Sequence, residues 1–200
     1  MLSPNDHQHI YIDKHFIDVD LTNTTLLSKQ FEDCYFTDCN FSNTKFTNCK
    51  FYQCKFHNCN LSLLDVSSCT FFDTTFEACK AIGINWTKAA WPNIKLSSPI
   101  HFTRCTLNDS SFFGLSLKEI IITECTAHEV DFREAYCSAA DFSHTDFAGS
   151  LFNNTNLTKA NFIEALNYRI NPTFNKIKKA KFSLPEAISL LKSLDIELVD

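Results

Sequence analysis

The stretch FTDCNFSNTKFTNCKFYQCKFHNCNL, residues 36–61, carries Phe or Leu at every fifth position without exception. A Cys stands two places before most of these apolar residues. Side chains return to the same face every 3.6 residues in an α-helix and every 2 in a strand, so neither structure repeats every five. The stretch therefore predicts a backbone that turns a corner after each group of five residues.

The period of five extends far beyond this stretch. Apolar residues, which we call centres, follow it from Phe16 to Leu96 and again, after a shift of one, from Phe102 to Phe162. Of the 20 phenylalanines, 16 are centres, whereas random placement would give about four. The position two before each centre holds small or apolar residues, and the other three positions are mostly polar.

Two inward side chains in every five residues suit a square coil of about 20 residues, in which four such groups form four sides. Each coil can bury its apolar interior only by stacking on its neighbours, at about the 4.8 Å spacing of paired strands. We therefore predict an all-β solenoid, a quadrilateral β-helix, over residues 11–166. A tail (1–10) precedes it and a C-terminal module (167–200) follows. A hexapeptide β-helix would need a period of six and is excluded.

Cysteine is unusually frequent, and its placement indicates a packing role. Nine of the ten cysteines occupy the small inward position, and Cys137 is a centre. Stacking every 20 residues would place Cys39, Cys59 and Cys79 in one column, where parallel side chains suit disulfide geometry poorly. A spacing of five puts neighbouring thiols on different walls, which does not suit tetrahedral zinc. We expect small buried hydrophobes, no metal site and no cofactor.

Composition excludes several classes of function. The net charge of −5 argues against a nucleic-acid binder, and the chain has no apolar run of about 18 residues that could span a membrane. It also has no charged and then apolar leader, so the expected compartment is the cytoplasm. No nucleophile, metal or phosphate-loop motif is present. We expect a protein that is not an enzyme.

The register shift lies in the segment 86–102, which contains both tryptophans and two prolines. We expect a one-residue insertion near Ser97–Ile100, within a slip at 97–101, because proline is tolerated at bends and edges. Two interpretations remain open, namely a packing adjustment without function and a shaped feature that a partner recognises. The strict register elsewhere predicts no long loops between coils.

The C-terminal module has a different pattern. Ser183 and Glu186 have the spacing of a helical capping box, and an apolar helical stripe follows. The segment DIELV (195–199) is typical of a short strand. The helical stripe could cap the end of the solenoid, but the strand after it favours pairing with a second copy. We therefore predict a homodimer through this helix and strand, with the interface residues Leu184, Ile188, Leu191, Leu194 and Ile196. Four lysines in 175–182 indicate either a nucleic-acid patch or, as we favour, a solvated linker.

Acidic residues are concentrated in the segment 119–146, where seven carboxylates stand against Arg133 alone. They fall at outward positions, where no pocket would shift their pKa values for catalysis. They suit instead electrostatic attraction to a basic groove. These candidate binding residues are Glu119, Glu124, Glu129, Asp131, Glu134, Asp141 and Asp146.

The motif of a small residue, Asn or Asp, Phe or Leu and two polar residues, as in ADFSH (140–144) and ANFIE (160–164), resembles the pentapeptide-repeat family. This resemblance implies a right-handed quadrilateral β-helix. The segments 84–95, 107–117 and 182–198 are similar to the albicidin-resistance proteins and, less closely, to microcin B17 immunity and Qnr quinolone-resistance proteins. That implies a dimeric, partial DNA mimic that binds the DNA-binding saddle of gyrase, with topoisomerase IV as a second target, and protects it from antibiotics. The alternative is a regulatory scaffold without a topoisomerase target.

Overall fold

The computed structural model describes residues 2, 3, 6–91, 99–194 and 196. They form a parallel β-solenoid of about eight turns with one short C-terminal helix, so the predicted right-handed quadrilateral β-helix is confirmed. The elements are β1 (Ile10–Ile12), β2 (His15–Ile17), β3 (Thr25–Leu27), β4 (Gln30–Glu32), β5 (Tyr35–Thr37), β6 (Lys45–Thr47), β7 (Lys50–Tyr52), β8 (Lys55–His57), β9 (Thr70–Phe72), β10 (Thr74–Glu77), a 3-10 helix (Trp86–Lys88), β11 (Ile100–Thr103), β12 (Ile122–Thr123), β13 (Asn161–Phe162), β14 (Lys181–Phe182) and α1 (Ile188–Lys192).

Each residue pairs in parallel with the residue one coil later, and this pairing builds four walls. Wall 1 begins at Tyr11 and contains the sheet β1-β4-β7-β9, and wall 2 begins at Phe16 and contains β2-β5-β8-β10-β11-β12. Wall 3 begins at Leu21 and is held by isolated bridges such as Asp20 to Asn40, and wall 4 begins at Leu26 with the pair β3-β6. The predicted coil of 20 residues is seen directly in pairs such as Phe36 with Phe56.

The centres stack as rings along each wall. On wall 2 the ring centroids of Phe36 and Phe56 lie 4.5 Å apart and those of Phe56 and Phe76 lie 4.9 Å apart, with interplanar angles of 7° and 15°. On wall 4, Phe112 and Phe132 lie 5.2 Å apart. These rings are almost completely buried. Ring stacking and burial of apolar area therefore supply the core, and the small inward residues fill the space beside them.

The corners between walls have a left-handed backbone, which the sequence pattern alone did not reveal. The residue two after each centre adopts φ near +50° to +60°, as in Asp33, Asn43 and Asn48. Asn and Asp tolerate this region better than other non-glycine residues. Their abundance at this position explains how a chain with three glycines turns so many corners.

The Asn or Asp before a centre closes the same turn. The side chain of Asp20 accepts a hydrogen bond from the backbone N–H of Thr22 at 2.9 Å, and that of Asp141 accepts from Ser143 at 3.1 Å. This is the short-range bonding that makes Asn and Asp turn formers. The second position of the repeat motif is therefore explained by local hydrogen bonding.

The break between the two registers is larger than the sequence predicted. Thr74 pairs with Ile100 and Phe76 with Phe102, so this coil has 26 residues where the others have 20. The expected one-residue insertion is therefore wrong, because the insertion has six residues (26 − 20). Ala90 still bonds to Cys69 in the regular register, and Thr74 donates to Pro99, so the extra residues enter between Ala90 and Pro99. The predicted centre Leu96 lies outside the described residues. The expectation of no long loops concerned the regular register, and the inserted segment at the break lies largely outside the described residues.

The coil continues past 166, where we placed its end. Asn161 pairs with Lys181 and Phe162 with Phe182, and the two phenylalanine rings stack at 5.1 Å. The lysines of 175–182 therefore belong to the wall of the last coil, and the preferred interpretation of a linker is wrong. The sequence signal was weak here because the segment 167–175 departs from the period of five.

The predicted capping box is also wrong, for a physical reason. Helix α1 begins at Ile188, and its N-cap residue Ala187 makes no side-chain cap. Ser183 Oγ accepts instead from the backbone N–H of Glu164 at 2.8 Å, and Glu186 Oε1 accepts from that of Asn167 at 2.7 Å. Both side chains satisfy amides of the last coil that would otherwise lack a partner. They cap the end of the solenoid and do not cap the helix.

The first coil is capped by the N-terminal segment. The side chain of Lys29 is nearly buried, and its Nζ donates to the carbonyls of Asp6 and Gln8. Tyr11 Oη donates to Asp6 at 2.6 Å, and Leu2 is buried against the core. Part of the predicted tail is therefore a cap that covers the open end of the stack.

The cysteines are free and buried, as expected. Cys39, Cys59 and Cys79 share one column, in which the backbone N–H of Cys59 points at Cys79 Sγ at 3.4 Å. Cys105 and Cys125 extend that column. Their thiols donate mainly to backbone carbonyls, so they behave as small core residues with a weak donor.

We expect loss of one stacked ring to be costly. Phe56→Ala removes a ring between Phe36 and Phe76 and leaves a cavity, so the free energy of unfolding should fall by about 3–5 kcal/mol. Phe72→Ala is the control, because Phe72 is 55% exposed, and it should cost about 0.5 kcal/mol or less. Urea denaturation followed by circular dichroism measures both. Equal losses for the two variants would show that the stacked column does not hold the solenoid together.

Candidate protein-binding surface

The predicted acidic set forms a belt around the solenoid and does not share one face. Glu119, Glu124, Glu129 and Glu134 are consecutive corner residues of one coil, each with φ between +54° and +61°. Because each corner separates two walls, the four carboxylates point in four directions. A groove that contacts one side of the rod could therefore meet only some of them.

Several carboxylates of this belt already have cationic neighbours. Arg133 bonds to both carboxylate oxygens of Asp131, at 3.0 and 2.8 Å, and this hydrogen bonding holds the pKa of Asp131 below its usual value. Lys118 Nζ lies 3.2 Å from Glu119 Oε1. These local pairs weaken the field that the seven carboxylates project into solvent.

Asp146 is engaged in the same way. Its Oδ2 lies 3.0 Å from His128 Nε2, and its Oδ1 accepts from Asn167 Nδ2 at 2.8 Å. Burial acts to raise the pKa of Asp146, but the hydrogen bonds from Asn167 and His128 outweigh it and hold the pKa below the usual value. Asp141 accepts from Ser143 and Asn161. The carboxylates of Asp141 and Asp146 are therefore already engaged in hydrogen bonds that close turns and join neighbouring coils.

Glu124, Glu129 and Glu134 make no ion pair within 4 Å among the described residues. The carboxylate of Glu129 lies over the Cα of Gly149, where an added Cβ would come within 2.1 Å of Oε1. Gly149 adopts φ +72° and is the next corner in that column. The side chain of Glu129 thus lies along the rod on the edge between walls 3 and 4.

A more continuous acidic surface borders wall 2. Its edge with wall 1 carries Asp13, Asp33, Asp73 and Glu119, interrupted by Gln53 and Pro99, as the stacking register places them. Its edge with wall 3 carries the acidic corner residues Asp18, Asp38, Glu124 and Glu164, which are interrupted by Asn58, Ala78, Arg104 and His144. We call these two columns the acidic edges of wall 2. Of the seven predicted residues, Glu119, Glu124 and Asp141 lie on this wall or its edges.

The sequence contained the signal for these edges. Asp13, Asp33 and Asp73 are separated by multiples of 20, as are Asp18 and Asp38. Carboxylates one coil apart are neighbours in space, whereas carboxylates five apart lie on different edges. We chose candidates by the number of acidic residues per length of sequence, and this criterion selected the belt of residues 119–146 instead of the two edges.

An apolar surface covers the C-terminal end. The five predicted interface residues are all exposed, Leu184 at 79% and the other four between 37% and 49%. Leu190, which is absent from the predicted stripe, packs against the core instead. Leu166 and Phe174 on the last coil are also more than half exposed. The predicted strand lies outside the described residues except for Ile196.

Neither a metal site nor a membrane span is found in the described part of the chain. No group of three or more His, Cys, Asp or Glu side chains there could hold a metal ion. No helix among the same residues is long and apolar enough to cross a bilayer.

Comparison with known proteins agrees with this architecture. The sequence pattern described as pentapeptide repeat region matches residues 29–98 and 84–162. No curated protein matches the chain. A trypsin-treated variant of QnrB1, a plasmid-mediated fluoroquinolone resistance protein, matches with a TM-score of 0.68 and 16% identity, covering 96% of this chain and 99% of that one.

A second trypsin-treated QnrB1 variant has a TM-score of 0.65 and 15% identity, over 96% of this chain and 100% of that one. HetL, involved in heterocyst differentiation regulation in the cyanobacterium Nostoc, has a TM-score of 0.50 and 13% identity, over 87% of each chain. At these identities the likeness concerns the fold. With the family pattern matched over residues 29–162 and the square coil seen directly, the chain belongs to the pentapeptide-repeat family.

Proposed function

We propose that this protein is a non-enzymatic, dimeric, partial DNA mimic that binds the DNA-binding saddle of gyrase and protects the enzyme from topoisomerase-poisoning antibiotics. Topoisomerase IV is the second candidate target. The observation that carries the proposal is the pair of acidic edges on wall 2, which present two lines of carboxylates along a narrow rod. The similarity in fold to QnrB1 over nearly the whole chain supports the same role.

The charge density limits how far the mimicry can go. The first four coils carry five edge carboxylates, Asp13, Asp18, Asp33, Asp38 and Asp73. At about 4.8 Å per coil this is about one charge per 4 Å, whereas duplex DNA carries about one per 1.7 Å. Long-range attraction to a basic groove is therefore weaker than for DNA, and shape and direct contacts must supply part of the affinity.

Dimerisation would place two such rods end to end. The exposed face of α1 presents Ile188 and Leu191, Leu194 is exposed in the turn that follows, and an unpaired apolar face is unfavourable in water. A second copy is the proposed occupant, because the same face on two chains is self-complementary about a two-fold axis. The dimer would display the wall-2 edges on both arms.

The alternative is a regulatory scaffold that binds a protein other than a topoisomerase. The likeness to HetL, a protein involved in differentiation regulation, favours this candidate. A scaffold has no need for carboxylate columns on one wall, so dependence of binding on those columns separates the two functions.

Disrupting the apolar face should give monomers. Ile188→Glu together with Leu191→Glu would bury charge at the proposed interface, and such burial is strongly unfavourable. We expect the sedimentation mass to fall from two chains to one, measured by analytical ultracentrifugation. The matched control is Leu27→Glu with Leu63→Glu, at sites 59% and 60% exposed on the rod, which should stay dimeric. A monomeric wild-type protein would contradict the dimer.

Neutralising the wall-2 edges should weaken gyrase binding more than neutralising the opposite side. The test variant changes Asp13, Asp18, Asp33, Asp38 and Asp73 to Asn, which tolerates the left-handed corner. The control changes Asp65, Asp109, Glu129, Asp131 and Glu134, on or beside wall 4, to the matching amides. Both variants lose five negative charges, so long-range effects of net charge are equal.

We expect the test variant to bind gyrase at least about tenfold more weakly, which is about 1.4 kcal/mol, with binding measured by surface plasmon resonance. In supercoiling assays with a fluoroquinolone or albicidin, wild-type protein should restore activity at low dose and the test variant should not. Equal weakening by the two variants would reduce the effect to net charge. Unaltered binding by both, or no effect of wild-type protein on any topoisomerase, would favour the scaffold.

A further inference from the structure

The C-terminal end of the molecule carries the opposite charge to the rest. Residues 155–200 hold seven Lys and Arg against five Asp and Glu, or +2, whereas residues 1–154 hold eleven against eighteen, or −7. Five of the seven cations lie on the last two coils, on wall 1, on wall 2 and on their shared edge. We call them the lysine patch: Lys159, Lys176, Lys178, Lys179 and Lys181.

The stacking register brings these lysines together. Lys159 and Lys179 are successive corners of the edge between walls 1 and 2, with φ of +62° and +59°. The backbone N–H of Lys159 donates to the carbonyl of Lys178 at 2.9 Å, which fixes the two coils against each other. Lys176 pairs with Asn156 on wall 1, and Lys181 pairs with Asn161 on wall 2. The five side chains therefore project from one continuous surface about two coils deep.

Among the described residues no carboxylate forms an ion pair with the patch, and Glu164 lies across wall 2 from it. All five lysines are exposed. Of the neighbouring carboxylates, Asp141 is bonded by Asn161 and Glu186 by the amide of Asn167. Like charges one coil apart repel each other by about 1 kcal/mol even in water. Elsewhere on the rod a cation has an acidic partner, as Arg133 has Asp131. The repulsion among the five lysines has no such compensation within the described residues.

The composition of the patch indicates the kind of partner. Protein–protein interfaces are depleted in lysine at their cores and contain apolar or aromatic anchors. On the outer face of this surface the lysines alternate with Asn156, Thr158 and Asn161, and Ile163 is the exposed apolar residue beside them, at 40%. Ile177 and Phe182 pack against the core. Nucleic-acid backbones are bound by surfaces of this kind, with flexible cations and small polar donors.

We propose that the lysine patch is a second binding surface, which takes the phosphate backbone of a nucleic-acid duplex without reading its sequence. The flat wall of the solenoid has no element that enters a groove, so base edges are not contacted. The proposal does not depend on gyrase binding or on the dimer. It is at odds with the expectation, drawn from the total charge of −5, that the protein has no nucleic-acid partner.

The test measures binding of the full chain to a fluorescent 30-base-pair DNA duplex by anisotropy, at several salt concentrations. Four or five phosphate contacts predict a slope of about −4 in log K against log salt, with a dissociation constant of about 1–100 μM at physiological salt. The test variant changes Lys176, Lys178, Lys179 and Lys181 to Gln. The matched control changes Lys14, Lys45, Lys50 and Lys55, all exposed on the N-terminal coils, to Gln.

We expect the test variant to lose at least about tenfold in affinity and most of the salt slope, with the control close to wild type. Equal losses in both variants, or no binding by wild-type protein at low salt, would overturn the proposal. Tighter binding to a labelled polyglutamate of equal charge would also overturn it in favour of an acidic protein partner. A duplex RNA of the same length shows which nucleic acid is the ligand. Equal binding of the two duplexes means that the patch recognises the phosphate backbone that they share, and tighter binding of one duplex identifies that nucleic acid as the partner.

Discussion

The parallel backbone pairing between successive coils is the constraint on which the rest of this molecule depends. Every buried N–H and C=O of a coil needs a partner, and the next coil supplies it only when residues 20 apart lie in register. Two examples are the pairing of Phe36 with Phe56 and the pairing of Asn40 with Asn60. Side chains are then forced into columns, so rings stack on rings and corner residues stack on corner residues. The ends, which lack a next coil, need separate caps, and Lys29 and Glu186 serve there.

The same constraint decides what a surface of this protein can contain. Residues five apart in sequence lie on different walls, and residues one coil apart are neighbours. A dense acidic segment such as 119–146 therefore becomes a belt with separated charges, partly neutralised by Arg133 and Lys118. A sparse series such as Asp13, Asp33 and Asp73 comes together on one edge, interrupted only by Gln53 between them. Charge along the chain is a poor guide to charge in space for any solenoid of this kind.

Much of the fold was predictable, because a strict period of five in the apolar residues is compatible with only one type of backbone, the square coil. The columns of Phe36 and Cys39 and the coil length followed from the sequence alone. The break did not, because a shift read against a period of five cannot distinguish one extra residue from six. The role of Ser183 and Glu186 was missed because amides of the last coil compete for the same side chains as a helix N-terminus, and such competition is visible only in three dimensions. The candidate surface was predictable only in part, since wall assignment requires the register across the break.

Separation along the rod lets surfaces of opposite sign coexist. On the edge between walls 1 and 2, Asp73 and Lys159 lie four coils apart, or about 19 Å at the spacing of paired strands. This exceeds the Debye length of about 8 Å at physiological ionic strength, so the acidic edges and the lysine patch act almost independently there. Glu119 lies about 10 Å from Lys159 along the same edge. Glu164, on the edge between walls 2 and 3, lies one coil before Lys181, so the two fields also meet across wall 2. A rigid solenoid holds these distances fixed, because each coil is paired on both sides. A compact globule of the same charge would bring the two sets within screening distance, and they would partly neutralise each other.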